Sequence, residues 1–235
     1  MNMEVLRVGF QGRLYYVVRF TLKYLCGMNY SAPAREEFPE TAVYICRHSN
    51  LKGPILSTIN LPFAVHPWSY HVWCDKESCR KQCEEYTFSV RFGWPKWKVK
   101  LVTALIAGPF SALIRSVGSI PVYRNSFKVR ETFKLSTEAL MRGENLLIFP
   151  DVDYTAQEGD AGALYEGFLM LERMYLKETG QHLKFVPIHI SDGKRRIFRG
   201  ETICFQDGVP YSEDKNRVIQ ALQGALNGMM EEHGV

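Results

Sequence analysis

Short apolar runs alternate with helical segments along most of this chain, and the runs close on turn-forming or charged residues. Ala42 to Cys46 ends at Arg47-His48, Ile120 to Tyr123 ends at Arg124, and Asn145 to Phe149 ends at Pro150. Lys184 to Ile190 is a fourth run of this kind. Between them lie helical spacings. Ser126 to Arg142 places Phe133, Leu135, Ala139 and Leu140 on a helical pattern and stops at Gly143. Gly162 to Thr179 carries Leu164, Phe168, Leu171 and Tyr175 at three- and four-residue steps and stops at Gly180. Glu213 to Glu232 puts Val218, Leu222, Leu226 and Met229 on one stripe. Strands alternating with helices build a largely parallel sheet. The expected fold is therefore α/β: one domain over 41–235 with a mostly parallel central sheet flanked by helices, preceded by an N-terminal amphipathic helix within 1–30. At 235 residues and 46% hydrophobic composition there is enough apolar surface for one sizeable core.

In such folds the loops beyond the carboxyl ends of the strands carry function. Here those loops hold His48, Arg124 and the pair Asp151 and Asp153. A histidine titrating near pH 6.5 is a natural general base. An arginine offers a permanent cation with a fork of donors suited to phosphate. Two carboxylates after a buried strand can orient an imidazole or neutralise a cation.

Four blocks in order resemble the glycerolipid acyltransferases related to 1-acylglycerol-3-phosphate acyltransferase, over about Tyr44 to Ile190. They are Arg47-His48-Ser-Asn-Leu-Lys-Gly53, Gly118-Ser-Ile-Pro-Val-Tyr-Arg124, Phe149-Pro150-Asp151-Val152-Asp153-Tyr154 and Val186-Pro187-Ile188. The family's first block is Asn-His-x4-Asp; His48 matches, while Arg47 replaces the Asn and Gly53 the Asp. Gly118, Ile120 and Arg124 match the second block. In the third, Phe-Pro-Glu-Gly-Thr-Arg, the acid becomes Asp151 and the Gly and Arg become Val152 and Tyr154. The resemblance implies transfer of a fatty acyl group from a thioester of coenzyme A or acyl carrier protein to a hydroxyl of a lysophospholipid or glycerol-phosphate-type acceptor. No resident cofactor or metal is implied; the acyl thioester is a co-substrate. His48 would be the base, with Asp151 or Asp153 replacing the missing acid as its partner, or Asn50 serving as a neutral orienter. Arg124 and Gly118 would hold the acceptor phosphate, with Phe149 and Pro150 shaping the site. Gly53 also leaves room for a catalytically inactive relative that binds lipid or a carrier protein as a scaffold, and a third reading is an acceptor that has no phosphate.

The net charge of +4 is modest and clustered, which favours a phosphate-bearing or anionic-surface partner and gives no nucleic-acid footprint. Phe92, Trp94 and Trp97 alternate with Lys96, Lys98 and Lys100, a pattern suited to a lipid headgroup layer or to an aromatic edge of the core. Leu101 to Ile114, interrupted by Gly108-Pro109, is short for a span and reads as a buried or dipping helix. The N-terminal residues mix Arg7, Arg13, Arg19 and Lys23 with aromatic and aliphatic side chains, consistent with an interfacial helix or with one packed on its own domain. The expected setting is the cytoplasm, peripherally on a membrane. Six scattered cysteines fit a reducing compartment, and His71, Cys74, Cys79 and Cys83 lack the spacing of a zinc site. Gly193 to Arg199 reads as a solvated basic turn, and His66, His182, His189 and His233 draw no role.

Overall fold

Strands covered on both faces read as mainly apolar runs, and three stretches supply them. β1 (Val43–Cys46) and β4 (Asn145–Ile148) are buried throughout, and β5 (Phe185–Ser191) is buried at all but one residue. They form the centre of a six-stranded sheet in this computed structural model, which describes residues 10–49, 52–124, 126–151 and 162–234. With β2 (Val65–Tyr70), β3 (Ile120–Val122) and β6 (Arg196–Arg199), the strand order is β3-β2-β4-β1-β5-β6. Every pairing is parallel except β5 with β6. The expected α/β class with a mostly parallel sheet is the observed one.

The helices are α1 (Arg13–Phe20), α2 (Lys52–Asn60), α3 (Lys76–Gln82), α4 (Lys96–Val117), α5 (Val129–Met141), α6 (Met170–Thr179) and α7 (Tyr211–His233). α3 runs on as a wider π-type turn over Cys83–Arg91. The chain groups into two compact units, one of Met1–Val18 with Trp68–Thr132 and one of Arg19–Pro67 with Phe133–Val235.

In the second unit β1 lies between β4 and β5, in register Val43 with Leu146 and with Phe185. Asn145 fixes the β4 side: its side-chain carbonyl accepts the Ala42 amide at 3.0 Å, inside the core. Tyr44, Phe38 and Phe63 form edge and tilted ring contacts on one face. α7 buries Val218, Leu222, Leu226 and Met229, the stripe its spacing predicts. The edge strand β6 is covered by the segment before Phe38: Ser31 exchanges backbone hydrogen bonds with Arg195 and Ile197. An uncovered edge would invite pairing with another chain.

In the first unit α3 and its continuation pack along α4 around Cys79, Cys83 and Ala107. Gly118 ends α4 in the left-handed conformation, φ 83°, closing the helix through its amide to Arg115. α1 begins against the other end of that turn, where the Gly12 amide donates to the Ser116 carbonyl at 2.7 Å and the Tyr15 amide to its hydroxyl at 2.9 Å.

The structure adds two strands to the sequence reading. β2 is Val-His-Pro-Trp-Ser-Tyr, and its His, Pro and Ser break the apolar run that would announce it. β6 is formed by residues expected to be a basic turn. Ile203 contributes a single bridge to Phe185 and no strand. The helix expected from Gly162 begins later, with a 3₁₀ turn over Glu166–Leu169 leading into α6. α4 continues through Pro109 and is longer at both ends than the apolar run alone.

Candidate functional site

β1 and β4 are neighbours, yet the chain leaves them in opposite directions. From β1 it crosses to β2, beyond β4; from β4 it crosses to β5, beyond β1. Where crossovers run apart in this way, the carboxyl ends of the two strands are the position at which open α/β sheets bind ligands. Arg47 and His48 leave β1 there, and Phe149, Pro150 and Asp151 leave β4 there.

Asp151 joins the two strand ends. One carboxylate oxygen accepts the His48 backbone amide at 2.5 Å, and the other accepts Arg47 Nη1 at 3.0 Å. Arg47 also donates to the Gly162 carbonyl at 2.7 Å and to Asn227 Oδ1 of α7 at 2.8 Å. The ion pair is nearly enclosed, with side chains 11% and 10% exposed. A charge so withdrawn from water persists only with its partners in place. The Tyr165 amide donates to the Pro150 carbonyl at 2.6 Å and Leu164 bridges to Asp151, so Leu164 and Tyr165 are tied to the same strand end.

His48 is half-buried, its ring edge-on to Phe149 at 5.8 Å between centroids. The backbone turns sharply after it. Ser49 has φ 40°, a left-handed conformation uncommon for a residue with a side chain. The turn brings the Lys52 amide to the Ser49 carbonyl and the Gly53 amide to the His48 carbonyl, both at 3.2 Å, so the first turn of α2 wraps the histidine's own backbone. Gly53 makes that approach possible. A Cβ on it would stand 2.1 Å from the Arg47 carbonyl oxygen and 2.7 Å from that of His48. The position at which the resembled family has its motif acid therefore has no space for any side chain.

Lys52 pairs with Asp192 at 2.6 Å, and the Tyr30 hydroxyl also donates to Asp192. Those two hydrogen bonds hold the Asp192 carboxyl below its ordinary range. Cys46, the last residue of β1, is packed in the core, and its burial pushes the thiol well up, reinforced by the Asp151 charge.

Of the expected site residues, His48, Phe149, Pro150 and Asp151 are brought together at the adjoining ends of β1 and β4. Arg124 is an exposed residue just beyond β3 in the other unit, and Gly118 is the cap of α4 in that unit. Asn50 and Asp153 lie outside the described residues. Arg47, Gly162 and Asn227 enter the site unannounced by the sequence; the signal was an arginine beside the histidine with an aspartate later in the chain. His182 also has partners the sequence does not suggest: Nδ1 is 2.6 Å from buried Glu172 and Nε2 is 3.1 Å from Asp207. Among the described residues no three His, Cys, Asp or Glu side chains converge as metal ligands.

No family model matches the chain, and no curated protein matches it. One solved structure similar to it is that of the 1-acyl-sn-glycerophosphate (LPA) acyltransferase, PlsC, from Thermotoga maritima, at 11% sequence identity and a TM-score of 0.48, covering 92% of this chain and 79% of that one.

Proposed function

We propose that this protein is an O-acyltransferase that moves a fatty acyl group from a thioester, on coenzyme A or acyl carrier protein, to a hydroxyl of a lysophospholipid or glycerol-phosphate-type acceptor at a membrane surface. The observation that carries the reading is the placement of His48 at the carboxyl end of β1, its backbone amide held by Asp151 at the end of the neighbouring β4, in a chain whose four blocks keep the acyltransferase order. His48 takes the acceptor's hydroxyl proton as that oxygen attacks the thioester carbonyl carbon. The tetrahedral intermediate collapses with cleavage of the carbon–sulfur bond, and the proton passes from the imidazolium to the departing thiolate. Ester and free thiol are the products, and no acyl-enzyme forms.

Asp151 is a positioning residue in this scheme. Its oxygens fix the His48 backbone and the Arg47 guanidinium, so it sets where the imidazole starts from. Asp153 and Asn50 remain the candidates for orienting the ring. The match of Arg124 to the second block is what assigns it the acceptor's phosphate, for which an always-charged fork of donors is suited.

A second reading has its own support in Gly53: with the motif acid sterically excluded, the chain could serve as an inactive scaffold that binds lipid or a carrier protein. Incubating the purified full-length protein with radiolabelled acyl-coenzyme A or acyl-carrier-protein thioesters and a membrane-lipid extract separates the two. Acyl transfer predicts a labelled phospholipid whose identity reports the acceptor. Absence of any labelled lipid with either donor class assigns the scaffold role.

A further inference from the structure

α4 is built with its large residues outward. Val99, Thr103, Ala107 and Ser111, at four-residue steps, are its buried stripe. Two residues earlier along the chain, and so on the opposite side at about 100° per residue, run Trp97, Leu101 and Leu105, which are 71%, 57% and 67% exposed. A helix packed in a water-soluble body does the reverse, turning its bulky apolar side chains inward. Basic residues flank the outward stripe: Lys96 and Lys100 are exposed, and Lys98 sits over the Trp94 ring at 4.1 Å. α4 holds no acidic residue. Indole, lysine and leucine side by side match the headgroup and upper acyl layers of an anionic bilayer.

Among the described residues α4 is also the helix long and apolar enough to cross a membrane. Its packed side argues for a different placement. Glu84 accepts a hydrogen bond from Thr103 at 2.9 Å, and the Lys76 stem lies 3.5 Å from where a Cβ on Gly108 would stand. Crossing would carry both charges to the middle of the hydrocarbon layer, where ions are costly. Lying flat leaves them on the aqueous side.

We propose that α4 is an in-plane membrane anchor: its Trp97, Leu101 and Leu105 face enters the interface of an anionic bilayer, while α3 and its continuation stay toward water. The anchor does not depend on acyl transfer, so a His48→Ala protein should bind membranes as the parent does. The test uses the full-length protein with phosphatidylcholine vesicles, with or without phosphatidylglycerol. Leu101→Ser combined with Leu105→Ser should lower vesicle partitioning at least tenfold, about the loss of one well-buried leucine. Because both residues are exposed, the melting temperature should stay unchanged. Lys96→Ala and Lys100→Ala should each lose roughly fivefold on anionic vesicles and nothing on neutral ones. Depth is read by quenching from lipids brominated at shallow or deep acyl positions, in a background with Trp68, Trp73 and Trp94 each replaced by Phe, comparing Trp97 with a Leu105→Trp reporter that also carries Trp97→Phe. An in-plane helix gives equal depths. A spanning helix separates them by about 12 Å, eight residues at 1.5 Å each, and that result overturns the proposal. It is equally overturned by failure to bind vesicles, or by a concentration-dependent dimer that the leucine substitutions abolish while the wild-type protein ignores lipid.

Discussion

Restoring the acyltransferase motif by Gly53→Asp should damage this protein, and the structure sets the scale. A Cβ at position 53 would lie 2.1 Å from the Arg47 carbonyl oxygen, which is backbone at the end of a fully buried strand and cannot swing aside as a side chain could. A tolerable carbon–oxygen contact needs roughly 1 Å more, so α2 or the end of β1 must move by that distance in a tightly packed region. Overpacking of this kind costs about 1–3 kcal/mol, and often toward the upper end where backbone must shift. Replacing Gly with Ala in a helix returns at most about 1 kcal/mol of propensity. Gly53→Ala should therefore lose about 1–2 kcal/mol, which is a fall of roughly 2–8 °C in melting temperature for a chain of this size. Gly53→Asp should fall further, because its carboxylate enters a buried position without a prepared partner. The assays are thermal denaturation followed by circular dichroism, and acyl transfer on the same preparations. Displacing α2 also moves His48, so activity should drop with stability in both variants. A Gly53→Asp protein as stable as the parent, or more active, would refute the steric argument and imply that the family acid is simply missing.

Arg47 and Asp151 should behave as one unit: in a double-mutant cycle with alanine at each position, urea denaturation should give a coupling energy of about 1–3 kcal/mol, and a coupling indistinguishable from zero would contradict the enclosed ion pair. The hydrogen bond and charge of Glu172, aided by Asp207, raise the pKa of His182 above its ordinary 6.5. Because the folded value is the higher one, the stabilisation is complete below pH 6.5 and is lost as pH climbs through the raised value. Melting temperature should therefore fall with rising pH on the alkaline side of 6.5, and His182→Gln should flatten that slope; an unchanged slope would remove His182 as its source.

The centre of the sheet was open to inspection in the sequence, since β1, β4 and β5 are covered on both faces and can hold little but apolar residues. β2 and β6 were hidden for the opposite reason. Pro67 and Ser69 interrupt one, and Arg196 and Arg199 bracket the other, so neither has a run to detect. Proline likewise concealed the length of α4, which passes through Pro109 without ending. At the site, His48 and Asp151 could be named from their places at strand ends, but their mutual geometry could not. It depends on β1 and β4 being neighbours with crossovers running apart, a fact of strand order that no local pattern encodes. For the same reason nothing local announces the partners of Arg47, which in the fold are Asp151, Gly162 and Asn227. The empty place at Gly53 was visible as a departure from the family motif, while its cause, two backbone carbonyls closing on the Cα, required coordinates.

The most direct test of His48 as the base is the rate of acyl transfer by His48→Gln protein against the parent, with the product-forming donor and acceptor and with matched melting curves. Loss of a positioned general base should cut turnover by about 10²–10⁴-fold while leaving binding of the acyl donor unchanged. A His48→Gln protein that retains most of its turnover would contradict the account.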